Sequence, residues 1–296
     1  MISATTLDGI PLVDPEMYDW FRWRAPDAKI ANALFYYDVD VEETTTQWVA
    51  QCITPTTPLD AETLAFGFGR DDLRQIAFDC TQSWVLPLPP GHYVLHGALL
   101  RDALPVRLRY RTPQARAPFV ASHLEQAEIV YRQTRYGASP AFALYRAATR
   151  PDPPATERIW AAPAGTPPPA LDATRLHPAP VALDGPLTFL GVQVGKKADA
   201  LEVETWWRVE EGAVDRPLSI MAHLLDGNGQ SLAVADGLGV PPEQWRAGDV
   251  IVQRHTFPPS AGNEGYLRTG AYWLDDGQRW TVRDVEHADA IFAPLQ

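Results

Sequence analysis

Glu202 and Glu204 stand two apart in a run, 201–209, that alternates apolar and polar residues. On a strand they project from one face about 6.6 Å apart at the backbone. Paired carboxylates at such separations run glycoside hydrolysis, one as acid and one as base or nucleophile. That chemistry needs one carboxyl with a raised pKa, and a solvated strand face does not raise it. The pair reads as part of a polar surface.

Other chemistry-bearing residues yield less. Gly67-Phe68-Gly69 precedes Asp71-Asp72, which suggests a dinucleotide turn, but the third glycine is missing. The two aspartates would also repel a pyrophosphate where backbone N–H groups should receive it. A plain strand-to-turn transition fits better. His92 and His96 are four apart on an expected strand, roughly 13 Å from one another and too far to share a metal. His223 stands alone in an apolar strand, the setting of a hydrogen-bonded structural histidine. Asp226-Gly-Asn228-Gly-Gln230 opens like a calcium loop, but its twelfth position is Gly237 instead of a bidentate Glu. Ser139 in Gly-Ala-Ser-Pro-Ala lacks the second glycine of a nucleophile elbow. The sequence has no HExxH and no Walker loop, so no catalytic residue, metal or cofactor is assigned.

Aromatics carry the one hint with physical content. Trp206 is expected on the polar side of its strand, with Glu202, Glu204 and Arg208 around it. An exposed indole flanked by charged hydrogen-bonding groups can stack under a sugar ring and bind its hydroxyls. Packing of Trp206 beneath prolines or another module competes with that reading, as does contact with a partner protein.

The elements that must position these residues divide at a proline-rich segment. Residues 151–185 contain Pro151, Pro153, Pro154, Pro163, Pro167 to Pro169, Pro178 and Pro180. Each fixes φ and removes a donor, so neither a helix nor a central strand is expected there. The segment reads as an extended linker anchored by Ile159 and Trp160. Residues 1–150 read as a small α/β module. Its expected strands are 31–37, 64–68, 75–78, 84–86, 92–96, 129–132 and 141–145. Helices are expected over the second half of 41–53 and over 119–126, and 136–140 reads as a turn. Residues 186–296 carry strands bounded by Gly, Pro and Asp, with hairpins at Asp226-Gly-Asn-Gly229 and Asp275-Asp-Gly277. Six or seven such strands make an all-β sandwich of immunoglobulin-like or jelly-roll-like type.

The net charge of −12 excludes a nucleic-acid partner, and no basic run interleaves with aromatics. No run reaches 18 apolar residues, so no membrane-spanning helix is expected. The first 20 residues carry four acids, the wrong pattern for a secretory signal; they imply a cytoplasmic chain, or the soluble part of a longer one. Cys52 and Cys80 could form one disulfide or stay as two buried thiols; their spacing fits no metal motif.

The second half bears a set of marks in chain order: Trp206-Trp207, His223-Leu-Leu-Asp226 with Gly229, Trp245-Arg-Ala-Gly-Asp249, Pro258, Gly265-Tyr266, Gly270-Ala-Tyr272 and Gly277-Gln-Arg279. Together they resemble the C-terminal β-sandwich of bacterial membrane glycosyltransferases of the dolichyl-phosphate-mannose mannosyltransferase type. The first half is similar to the soluble α/β segment of that family at Phe78-Asp-Cys80, Ser83 to Pro87, Val130-Tyr131, Gly137 and Phe142 to Tyr145. The resemblance covers about 78–280 and rests on turn and core residues. It implies a sandwich outside the cytoplasm, in the company of glycan assembly. The family's membrane helices and acidic transfer residue have no counterpart here, so transferase activity is not implied.

These readings converge on a non-catalytic accessory protein of the cell envelope, binding glycan or an envelope protein partner, extracytoplasmic in location. Two rivals stand beside it. One is a glycan-processing hydrolase or transferase with its site between the modules, built from Asp71, Asp72, Asp79 or His92. The other is a purely structural interaction module.

Overall fold

A computed structural model describes residues 1–8, 18–22, 25–31, 33–37, 45–96, 124, 127–133, 141–168, 176–196, 200–259 and 264–295. The chain is mostly β-sheet, in several sheets, and forms two compact units. One comprises 1–76 and 89–149; the other comprises 77–88 and 150–296.

The first unit opens with β1 (Ile2–Ser3), α1 (Ala4–Leu7), α2 (Asp19–Arg22), β2 (Ala28–Ile30) and β3 (Leu34–Tyr36). β1, β3 and β2 form a small antiparallel sheet. Then come β4 (Trp48–Cys52), α3 (Ala61–Phe68) and β5 (Arg74–Phe78). The chain leaves through β6 (Ser83–Leu86) and returns as β7 (Gly91–His96), β8 (Glu128–Gln133) and β9 (Phe142–Ala147). The second sheet has the order β5-β4-β7-β9-β8, with β4 and β7 parallel and β7 and β9 antiparallel.

Two local expectations are corrected here. The helix expected in the second half of 41–53 is strand β4 from Trp48 to Cys52, with all five residues buried. An interior strand is apolar on both faces, so its apolar residues can fall by chance at helical spacing. Conversely, the strand expected at 64–68 is helix α3. Asp60 caps it by accepting from the Thr63 N–H at 2.7 Å, and Gly69 ends it at φ +62. Those caps were visible in the sequence and outweigh the local apolar run. The expected helix 119–126, apart from Leu124, and the turn 136–140 with Ser139 lie outside the described residues.

The second unit contains β6 and then β10 (Ile159–Ala162), β11 (Leu176–His177), β12 (Val181–Ala182), β13 (Leu187–Lys196), β14 (Leu201–Val209), β15 (Leu218–Asp226), β16 (Ser231–Val234), β17 (Val250–Phe257), β18 (Glu264–Trp273) and β19 (Ala290–Pro294). These form a five-stranded sheet, β12-β13-β14-β17-β6, and a six-stranded sheet, β11-β10-β19-β18-β15-β16. Leu201, Val203 and Phe257 of the first sheet cluster with Ala222, Leu224 and Leu267 of the second. The arrangement is consistent with an all-β sandwich. β6, expected as part of the first module, belongs here through its pairing with β17.

The described parts of the proline-rich segment, 151–168 and 176–185, hold more structure than an extended linker. Between its prolines, Ile159–Ala162 forms β10, an interior strand. The four strand residues contain no proline, so the ladder loses no donor. Earlier in the segment, Thr156 accepts from the Val192 N–H through its hydroxyl at 3.0 Å and from the Ala179 N–H through its carbonyl at 2.9 Å. The segment is thereby tied along β13.

Candidate functional site

The alternation expected in β14 holds on its inward side: Leu201, Val203, Thr205, Trp207 and Val209 are all buried. The expectation of an exposed Trp206 is overturned, since its residue is only 3% exposed. Gly191, Trp206, Val252 and Trp84 make one row across the sheet, and all four are buried. A Cβ on Gly191 would lie 2.5 Å from the Pro154 carbonyl oxygen, so the proline-rich segment crosses the sheet beside Trp206. An indole next to an extended proline segment gains more from burial than from a wet strand face.

Glu202 and Glu204 are only 16% and 14% exposed at their side chains, and Arg254 from β17 lies between them. Its guanidinium reaches Glu204 at 3.2 Å and Glu202 at 3.8 Å. Arg208 is paired away from them, with Glu210 at 2.8 Å. The four residues therefore do not form a stacking platform: the tryptophan is covered, two acids hold an arginine, and the remaining arginine serves the strand end.

The rival site residues are likewise engaged locally. Asp72 takes both Arg70 nitrogens at 2.8 Å, and Asp71 is exposed. Asp79 caps its own turn, accepting from the Thr81 N–H and hydroxyl and from the Gln82 side chain. His92 is buried with Nδ1 3.1 Å from the Thr46 hydroxyl; burial, then the nearby Arg146, push its pKa down to about 4. His223 sits between Asp236, 3.4 Å from Nε2, and Arg268 at Nδ1, as a structural histidine would. Asp226 caps its hairpin by accepting from the Asn228 and Gln230 N–H groups at 2.8 Å.

A different place in the second unit gathers aromatic and polar groups. The connections 183–186, 210–217, 235–249 and 274–289 emerge where β12, β14, β16 and β18 end and β13, β15, β17 and β19 begin. Two clefts lie among these loops, of about 370 and 410 Å³. Such volumes sit in the lower range of small-molecule sites.

The smaller cleft is built around Trp273 and Trp280, whose rings meet edge to face at 5.1 Å. Trp273 ends β18, where the turn Asp275-Asp276-Gly277 begins. Gly277 takes φ +71 and donates to the Trp273 carbonyl at 2.9 Å. The Trp280 backbone N–H donates to the Ala271 carbonyl at 2.9 Å, and a Cβ on Gly185 would overlap its ring. Arg216 covers the Trp273 ring at 4.8 Å from the centroid and is held by Asp275 and Asp276. Those hydrogen bonds raise the Arg216 pKa. Arg216 in turn lowers that of Asp275, while Asp276 is lowered first by the Gln278 N–H and then by Arg216. Asp184, Glu211 and Arg283 are the charged residues of its lining. Asp184 accepts from the Thr281 hydroxyl at 3.0 Å, and Arg283 donates to the Leu183 carbonyl at 3.1 Å.

The larger cleft is lined by Trp245 with Glu210, Glu243 and Arg246 among others. The Trp245 Nε1–H donates to the Val240 carbonyl at 3.1 Å, which fixes the indole plane. Burial opposes ionisation of Glu210, but the Thr188 hydroxyl and Arg208 outweigh it and hold its carboxyl below the usual range. Each cleft thus offers a half-buried indole beside a carboxylate held by hydrogen bonds, Asp184 in the smaller and Glu210 in the larger, and a guanidinium, a set able to stack on an apolar ring face and bind its hydroxyls. This set is hard to see in the sequence because its indoles stand at strand ends and in loops instead of on a strand face. The available signal was an aromatic directly before a turn, as in Trp273-Leu-Asp-Asp-Gly277.

Among the described residues no three histidine, cysteine or acidic side chains are grouped to hold a metal ion, and no helix is long and apolar enough to cross a membrane. Both cysteines are disulfide-bonded. Comparison with protein-family models, curated proteins and solved structures gave no match.

Proposed function

We propose that this protein is a non-catalytic accessory protein of the cell envelope that binds carbohydrate through the loops at one end of its sandwich. The observation that carries the reading is Trp273. Its half-buried ring is clamped by Arg216 in a sugar-sized cleft beside Asp184, Glu211 and Arg283. A fixed indole with converging hydrogen-bonding groups is the chemistry that distinguishes a sugar from bulk water.

On this proposal the sandwich is immunoglobulin-like or jelly-roll-like, its loops carry the ligand, and a small α/β module precedes it. Such loop clusters at a sandwich end are a recurring place for recognition. The extracytoplasmic location is supported by the disulfide-bonded cysteines, since disulfides persist in oxidising compartments. The association with glycan assembly rests on the glycosyltransferase resemblance alone.

The test is a screen of the full chain against cell-wall glycans and oligosaccharides, followed by titration of the wild type and Trp273→Ala. Saccharide binding that weakens at least tenfold in the variant, with an unchanged circular dichroism spectrum, supports the reading. Absence of saccharide binding, or binding that Trp273→Ala leaves intact, overturns it. Capture of an envelope protein in place of sugar would point to the partner-protein alternative.

A further inference from the structure

The two clefts are neighbours. Both are lined by Glu211, Gly212 and Ala213, so a single short stretch of chain stands between them. That stretch is thin for a local reason. Gly212 takes φ +144, a conformation that disfavours side chains, and a Cβ there would lie 3.1 Å from Pro186. Glycine followed by alanine keeps the divider low. On either side stands an indole whose orientation is set by the protein: Trp273 under Arg216, and Trp245 tied to Val240.

Resting on the carbohydrate reading above, we infer that the clefts are two subsites of one groove that takes a linear, uncharged or amino-sugar glycan of several residues. One ring stacks at Trp273, and a later ring of the same chain stacks at Trp245. The charge of the lining selects the chemical class. Asp184, Glu210, Glu211 and Glu243 line the two clefts with Arg246 and Arg283, and Arg208 pairs with Glu210 from outside, so carboxylates outnumber guanidiniums. The whole chain adds a net charge of −12. Polyuronates and phosphate-bearing glycans are repelled by that field, whereas hydroxyl and ammonium donors find acceptors.

Holding both rings at once turns the second contact into an intramolecular one, so affinity must grow with chain length. The experiment titrates the full chain with cello-oligosaccharides and N-acetylchito-oligosaccharides of one to six residues, and with oligogalacturonates as the anionic series. The expected result for one of the two uncharged series is affinity rising about tenfold or more between one and four residues. Oligogalacturonates bind more weakly at every length. Trp245→Ala weakens the tetramer about tenfold and leaves the monomer unchanged. Ala247→Arg, which fills the second cleft from its exposed rim, does the same without removing any packed side chain. Binding that is independent of length, or stronger for the anionic series, overturns the inference while the carbohydrate reading survives. No binding by any series leaves neither.

Discussion

The guanidinium of Arg216 lies 4.8 Å from the centre of the Trp273 ring and donates from Nε to Asp275 at 2.9 Å and from Nη2 to Asp276 at 2.6 Å. One residue thus joins the strand-end indole to the turn that follows it. Both acids are about half exposed, and such partly solvated pairs contribute orientation more than stability. Arg216→Ala is expected to leave the thermal midpoint nearly unchanged and to weaken saccharide binding roughly two- to fivefold, the scale of one exposed cation–π contact. Arg216→Lys should not restore binding, because an ammonium cannot bridge both carboxylates while lying flat on the ring. Calorimetry and titration on the same preparations check both parts.

Trp206 makes the opposite case. It is buried between Gly191 and Val252 and has no access to a ligand. Trp206→Ala should cost about 3–5 kcal/mol of stability, the range for truncating a packed aromatic. Saccharide affinity at a temperature where the variant remains folded should equal that of the wild type. Denaturant unfolding paired with titration separates the two effects.

Acid should weaken the second unit through His255. It is fully buried; its Nε2 is 2.9 Å from the Thr205 hydroxyl, which also accepts from the Trp207 indole, and its Nδ1 is 2.7 Å from the Ala235 carbonyl. Burial drives its pKa down from 6.5 to about 4 despite the Ala235 carbonyl and Asp236, which pull the other way. A folded pKa below the unfolded one means that the unfolded chain takes up the proton first as pH falls. The stability is therefore complete above about pH 6.5 and is lost progressively towards pH 4, in total about 3 kcal/mol. His92, also lowered to about 4, acts in the same direction and window. Thermal midpoints from pH 7.5 to 4 should fall steadily, and His255→Gln should flatten the slope without abolishing it. A midpoint that does not change across this window would contradict the assignment.

Reduction should also destabilise the chain. Both cysteines are disulfide-bonded, and loss of a native disulfide typically costs about 2–4 kcal/mol. Cys52→Ser should lower the denaturant midpoint as much as dithiothreitol lowers that of the wild type, and dithiothreitol should have no further effect on the variant. Alkylation without reduction should label neither thiol in the wild type.

Much of the second unit was legible in the sequence because its strands are half-buried. β14 alternates cleanly, and the hairpin turn before β16 announces itself through Asp226-Gly-Asn-Gly229. The parity that set Trp206 opposite Trp207 was also right. What covers that face was not legible, because the proline segment that crosses at Gly191, the partner of Trp206 across the sheet, lies about fifty residues away in sequence and comes near only in the folded chain. β4 was misjudged for the same kind of reason: an interior strand has no polar face to betray its period. α3 was legible through Asp60 and Gly69, and was missed because its apolar residues fall in a strand-like run. The candidate site was the least visible part. Trp273 and Trp280 flank one turn, but Glu211 and Trp245 lie on other loops, and only the folded sandwich end brings these loops to one place.

The most direct test of carbohydrate recognition is one titration followed by tryptophan fluorescence, with a saccharide identified by screening. Wild type, Trp273→Ala and Trp206→Ala are compared under identical conditions. Carbohydrate recognition at Trp273 gives a saturable change in the wild type and in folded Trp206→Ala, and its loss in Trp273→Ala. A response that persists in Trp273→Ala, or that vanishes only in folded Trp206→Ala, would contradict it.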